Sequence, residues 1–302
     1  MEKIIMTKLT YQTLPLIILG VLLFLPSLAV AATAHLETKH QDIYVGDNII
    51  FSVRLDPEGQ SLNAVEGKVI LDYEPKSVSI GEINVAGSAF TLWPRKPSLA
   101  TNEKEISFVA GVPNGLKTKD ALLFNLVLNL SAPGRLTLQP NGLIAYLNDG
   151  QGTKVAVAGQ ALELEVLPAP DNWVPRQEWL DITLTDKTPP ERFEILLGQD
   201  NSVFEGRKFI SFNAVDKATG VDYYEVKEGD LPPVRSGETY ILQEQDSVSK
   251  IVVTAFDVAG NTRSVTYSPP VGKLWLILIG LILALVVGIT VFIKRKHVPE
   301  LK

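Results

Sequence analysis

The sequence predicts an all-β protein: two tandem β-sandwich domains, with an N-terminal signal peptide and one C-terminal transmembrane helix. Three observations predict it. Residues 36–268 hold short runs in which apolar and polar side chains alternate, the period of a strand with one buried face. Turn-forming Gly, Pro, Asp and Asn break these runs about every 8–12 residues, the rhythm of a two-sheet sandwich. Two uncharged apolar runs, 14–25 and 274–293, stand near the two ends.

The first run follows Lys3 and Lys8. It stops at Pro26 and Ser27, and Ala29, Val30 and Ala31 then place small residues at the spacing a signal peptidase reads. Residues 1–32 are therefore assigned to a signal peptide, with Ala32 and Ala34 as further cleavage points. An uncleaved anchor is the competing reading, but the run falls short of the ~20 residues a span needs. The second run, Leu274 to Ile293, is 20 residues without a charge. As a helix it rises ~30 Å, the thickness of a bilayer's hydrocarbon core. Lys294, Arg295 and Lys296 follow at once and belong on the cytoplasmic side. Both signals give one expected topology: a cell-membrane, single-pass protein with its N-terminus outside and residues 294–302 as a cytoplasmic tail. The lipid bilayer is then contacted through Leu274 to Ile293.

Between these ends the first sandwich is assigned to residues 33–167. Ile49, Phe51, Val53 and Leu55 share one strand face, and Phe124, Leu126, Leu128 and Leu130 share another. Residues 168–190 read as a linker stiffened by Pro168, Pro170, Pro175, Pro189 and Pro190. The second sandwich is assigned to 191–268. Within it, 214–220 and 255–261 echo each other, each a strand end followed by an Asp-led turn.

Composition excludes several chemistries. The chain has no cysteine, so it has no disulfide, thiolate nucleophile or Cys-ligated metal. Its three histidines are His35, His40 and His297, which leaves the sandwich interiors without a His-based triad or a His-rich zinc site. Residues 33–272 carry 21 basic against 32 acidic residues, net −11. Such a surface repels phosphate backbones, so no nucleic-acid partner is expected.

Several segments resemble a known family. They are Val45-Gly46-Asp47 before an alternating strand, the run from Asn63 to Pro75 ending in Tyr73-Glu74-Pro75, Ile106 to Gly111, and Leu147 to Val155 before a closing strand. In this order residues 36–167 resemble a bacterial cohesin domain, a jelly-roll sandwich related to carbohydrate-binding modules. The resemblance implies that this domain holds a dockerin-like protein module or a polysaccharide. No dockerin-like calcium loop occurs in this chain, so such a partner is a separate protein. Residues 191–268 resemble a bacterial immunoglobulin-like surface module, which implies a spacer or adhesive stalk.

The candidate ligand-binding residues are Trp93, Arg95, Lys96, Trp173 and Trp179. Trp93 is expected on a loop beside two cations, either stacking on a sugar or anchoring a partner, or lidding the core. Trp173 and Trp179 either stack on sugar or plug the seam between domains. Asp149 to Gly152 read as a tight hairpin turn, with a calcium loop as the alternative. Asp216, Asp222 and Asp257 read as turn caps, with calcium ligation as theirs. No catalytic residue, metal or cofactor is assigned. The expected role is binding or scaffolding without catalysis, and the alternative is a structural stalk of the envelope. A glycan-cleaving carboxylate pair ranks last.

Overall fold

The computed structural model describes residues 32–246, 248–269 and 273–296. Residues 1–31 of the expected signal peptide 1–32, and residues 297–302 of the expected tail, lie outside the described residues. The chain divides into two compact units, Met1–Leu184 and Thr185–Lys302. The first is mostly strand; the second holds seven short strands and one long helix.

The first unit has eleven strands: β1 (Ala32–Glu37), β2 (Ile43–Tyr44), β3 (Asn48–Asp56), β4 (Leu62–Tyr73), β5 (Val78–Asn84), β6 (Leu92–Leu99), β7 (Glu105–Leu116), β8 (Ala121–Leu130), β9 (Gly134–Leu147), β10 (Lys154–Gly159) and β11 (Leu162–Leu167). One layer runs β5-β8-β3-β1. The other runs β10-β9-β4-β7-β6, with β11 on β9 and β2 on β11. β1 joins them, antiparallel to β3 and parallel to β10. The predicted alternation holds where one face is buried: Ile49, Phe51, Val53 and Leu55 on β3 are all fully buried. Phe124 of β8 meets Phe108 of β7 across the two layers, ring centroids 5.2 Å apart and edge to face. β1 begins at Ala32, one residue before the boundary assigned from sequence, and both Ala32 and Ala34 are buried.

β6 differs from expectation. Trp93 and its neighbours Arg95 and Lys96 are expected on a loop between strands. They form an edge strand instead, paired with β7 at Leu92, Arg95, Ser98 and Leu99 with two register shifts between. Proline fits such an edge because its missing N–H faces solvent rather than a ladder.

The stretch assigned as a linker begins packed on the first sandwich. Trp173 donates its Nε1–H to Asp47 Oδ1 (3.0 Å), and Arg176 donates its backbone N–H to the same oxygen (2.9 Å). A short helix, α1 (Glu178–Thr185), follows. Glu178 accepts the Ile50 N–H (2.7 Å) and lies 3.0 Å from His40 Nε2. Proline signals in 168–175 revealed the break after β11 but not the buried acceptor that draws the chain back.

The second unit has β12 (Ile195–Gly198), β13 (Phe209–Phe212), β14 (Val221–Glu228), β15 (Val234–Ser236), β16 (Thr239–Ile241), β17 (Ile251–Asp257) and β18 (Thr262–Tyr267). They form a three-stranded sheet, β12-β13-β16, and a four-stranded sheet, β15-β14-β17-β18. Ile210, Phe212, Tyr224, Val226, Ile251, Val253 and Ala255 fill the core they share. Tyr224 has a polar handle there: its hydroxyl accepts the Ala214 N–H at 2.8 Å. Burial pushes its pKa up to about 12, against the opposing pull of that hydrogen bond and with help from the charge of Glu238. The folded value thus lies above the unfolded one. Stability is complete below pH ~10 and falls by about 3 kcal/mol as the pH rises to ~12. Alkaline denaturation of the second unit should follow this course, and Tyr224→Phe should flatten it.

The last element is α2 (Lys273–Lys296), a helix of 24 residues that contains the run 274–293. Its side chains are described only for 279–290. Among these described residues no helix is long and apolar enough to cross a membrane. Within the stretch, Ile279, Leu281, Ile282, Leu283, Leu285, Val286, Val287 and Ile289 are all exposed, so apolar surface covers the helix on every side.

Candidate functional site

The outward face of β9-β4-β7-β6 carries a shallow open cavity of about 300 Å³. Its shape follows from a local mismatch. On the β4–β9 ladder Glu66 pairs with Ile144 and Lys68 with Asn141, so only Gly67 stands opposite Gly142 and Leu143. β9 therefore bulges. Gly67 is required there, because a Cβ would sit 2.9 Å from the Cα of Leu143. Gly142 takes the left-handed turn at φ +59°. The dent they leave is lined by Glu66, Lys68, Arg95, Ser107, Asn141 and Ile144, among others.

The charges around the dent are mostly paired. Lys68 Nζ lies 2.7 Å from Glu105 Oε1. Tyr146 donates its hydroxyl to Glu66, which holds that hydroxyl above its ordinary pKa. Arg95 is exposed and makes no ion pair among the described residues. Phe108 is the cavity's one aromatic lining, and it is 1% exposed. The site thus offers an exposed guanidinium, fixed polar pairs and an Ile144 side chain, but no exposed ring among its lining residues on which a sugar could stack.

The residues predicted from sequence fall into two groups. Trp93, Arg95 and Lys96 lie along β6. Arg95 lines the cavity; Trp93 is half-buried and packs against the core. Trp173 packs on Tyr44 with ring centroids 4.5 Å apart, and the guanidinium of Arg176 lies 4.8 Å from its ring. Trp179, half-buried on α1, donates its backbone N–H to Asn48 Oδ1 (3.3 Å). The Trp173 ring therefore packs on the first sandwich, and Trp179 is tied to it by its backbone. Glu66, Lys68, Ser107, Asn141 and Ile144 were not singled out from sequence. Period-two alternation places Glu66, Lys68 and Ser107 on outward faces, but not side by side on neighbouring strands.

The Asp149 loop is a turn: Asp149 Oδ1 accepts the N–H groups of Gln151 (2.8 Å) and Gly152 (3.1 Å). These bonds and one from the Thr153 side chain, the largest effect, hold its pKa below the usual carboxylate value.

The second unit gathers three buried carboxylates, Asp186, Asp216 and Asp257, whose oxygens lie within 4.8 Å of one another. Asp222 is not among them; it pairs with Arg235 at 3.8 Å. Asp186 was hidden in the expected linker. Oxygen donors of this kind are what a hard divalent cation takes. Each already caps its neighbourhood, however. Asp216 Oδ1 accepts the N–H groups of Ala218, Thr219 and Gly220, Asp257 those of Asn261, and Asp186 the Thr188 N–H and the Thr219 hydroxyl. At an effective dielectric of ~20, two such charges repel by roughly 3 kcal/mol. In buffer with a chelator, Asp186→Asn should therefore raise the melting temperature of the second unit. A fall would mean that the acceptor oxygen taken from Thr188 or Thr219 outweighs the repulsion.

No protein-family model and no curated protein matches this chain. Among solved structures it is similar to a cohesin module from a Clostridium perfringens family 33 glycoside hydrolase: 13% identity, TM-score 0.38, covering 46% of this chain and 98% of that one. It is similar to a non-cellulosomal cohesin from Archaeoglobus fulgidus, at 17% identity, TM-score 0.35 and 46% and 92% coverage. A cohesin of a type I cohesin–dockerin complex from Clostridium thermocellum gives 9% identity, TM-score 0.37 and 45% and 94% coverage. With TM-scores this low, the sandwich assignment of the first unit rests on its own strand order and core.

Proposed function

We propose that this is a membrane-anchored surface protein whose first sandwich binds a dockerin-like protein module on the β9-β4-β7-β6 face, without catalysis. The observation that carries the reading is Arg95, an exposed guanidinium at a built cavity with no ion pair among the described residues. Such a residue suits a partner's carboxylate or carbonyl. The partner class follows the resemblance of residues 36–167 to cohesins. A protein partner fits better than polysaccharide because the cavity lacks an exposed ring.

The second unit then acts as a spacer. Its strand orders, 12-13-16 and 15-14-17-18, suit an immunoglobulin-like sandwich. α2 is the anchor; its exposed apolar circumference has no stable place in water.

The test is retention of the full chain, in detergent, on immobilised dockerin modules and on insoluble glycans. Dockerin retention is expected, with Arg95→Glu and Ile144→Asp each weakening it about 10- to 100-fold at unchanged melting temperature. Retention on glycans alone, or on neither, removes the proposal. Lateral self-crosslinking with no other partner would favour the stalk.

A further inference from the structure

The second unit exposes apolar side chains on β12 and in the hairpin that follows it. Leu196 and Leu197 on β12 are 61% and 39% exposed, and Val203 and Phe204 in the β12–β13 hairpin are 39% and 37% exposed. The hairpin is also strained. Phe204 and Glu205 have φ of +53° and +59°, followed by Gly206 at +76°. A bulky L side chain in the left-handed region is sterically costly, and here that backbone leaves Phe204 half outside, edge-on to Phe209 at 5.1 Å.

The end of the sandwich that carries this hairpin can be read from hydrogen bonds. Leu242 donates its N–H to the Lys208 carbonyl at the hairpin's base (3.0 Å). Gln243 and Glu244 donate theirs to the Glu228 carboxylate (2.8 and 3.0 Å). Glu228 pairs with Ile251, and Ile251 with Tyr267. Tyr267 ends β18, so the hairpin lies at the end from which the chain leaves for α2. Five residues, 268–272, separate β18 from α2. Fully extended, that connection spans no more than roughly 20 Å. The β17–β18 turn and the Asp trio's Asp257 lie at the opposite end.

We infer that this hairpin is a foot that rests in the headgroup layer of the bilayer. The inference depends on the reading of α2 as the membrane anchor. Apolar and aromatic side chains held close to an interface partition into its headgroup–acyl boundary. Charge in the hairpin is balanced: Asp200 and Glu205 against Arg207 and Lys208. Seating should therefore occur on zwitterionic lipid and need no anionic lipid.

The absence of native cysteine makes the test direct. The full chain, carrying a single Val203→Cys, Leu196→Cys, Ala259→Cys or Leu285→Cys, is labelled with nitrobenzoxadiazole. Each is placed in phosphatidylcholine nanodiscs with and without doxyl-labelled lipid. Quenching of at least twofold is expected at Val203→Cys and Leu196→Cys, strong quenching at Leu285→Cys, and none at Ala259→Cys. If Leu285→Cys is quenched but Val203→Cys and Leu196→Cys behave like Ala259→Cys, the foot is wrong and the anchor stands. If Leu285→Cys is also unquenched, the anchor fails and the foot with it.

Discussion

Asp47→Ala should lower the stability of the first unit by about 3–5 kcal/mol, the range for breaking a buried charged network from one side. The Asp47 side chain is fully buried. It accepts the Tyr44 N–H (3.0 Å), the Trp173 indole N–H (3.0 Å) and the Arg176 N–H (2.9 Å), and the Arg176 guanidinium lies 3.7 Å away. Alanine would leave three donors without an acceptor and a guanidinium without its counter-charge, each a desolvation cost with no return. Asp47→Asn keeps one acceptor oxygen and should lose less. At 2–4 °C per kcal/mol for a unit of this size, the alanine variant should melt about 10 °C lower. The second unit provides an internal reference. If both transitions moved together, the network would not be specific to the first sandwich.

Phe124→Ala should cost the first unit a similar ~3–5 kcal/mol, by a different route. Phe124 is fully buried on β8, and its ring meets Phe108 of the facing layer. Truncation removes that cross-layer contact and leaves a cavity between two strands whose ladders hold them in place. The loss combines transfer free energy with cavity formation. Phe124→Leu refills most of the volume and should cost less than half as much, as urea melts can show. Equal losses for the two would mean that the layers close over the gap.

Much of this architecture was legible in single segments. Alternation at Ile49, Phe51, Val53 and Leu55 gave β3 its face and length, because a half-buried strand has no other way to satisfy both sides. The same rule found β17 from Ile251, Val253 and Ala255, all fully buried. It failed at β15, three residues long with two of them exposed, where no periodicity can accumulate. It also failed at β6, whose eight residues show no regular alternation of exposure. The site was harder still. Arg95 could be named as a cation beside an aromatic. The Gly67–Leu143 approach that dents the sheet depends on which strands neighbour each other, and β4 and β9 are separated by some sixty residues of sequence. Long-range pairing likewise hid Asp186, which joins Asp216 and Asp257 only after the chain has returned twice.

The prolines of β6 have one further effect. A long exposed strand rim invites the same rim of another molecule to zip onto it. Two of the eight residues here, Pro94 and Pro97, cannot contribute a donor to such a zipper, and the register already slips twice along this strand. Neighbouring copies of the protein can therefore crowd together at high density without fusing rim to rim, while Arg95, between those prolines, remains exposed to a visitor.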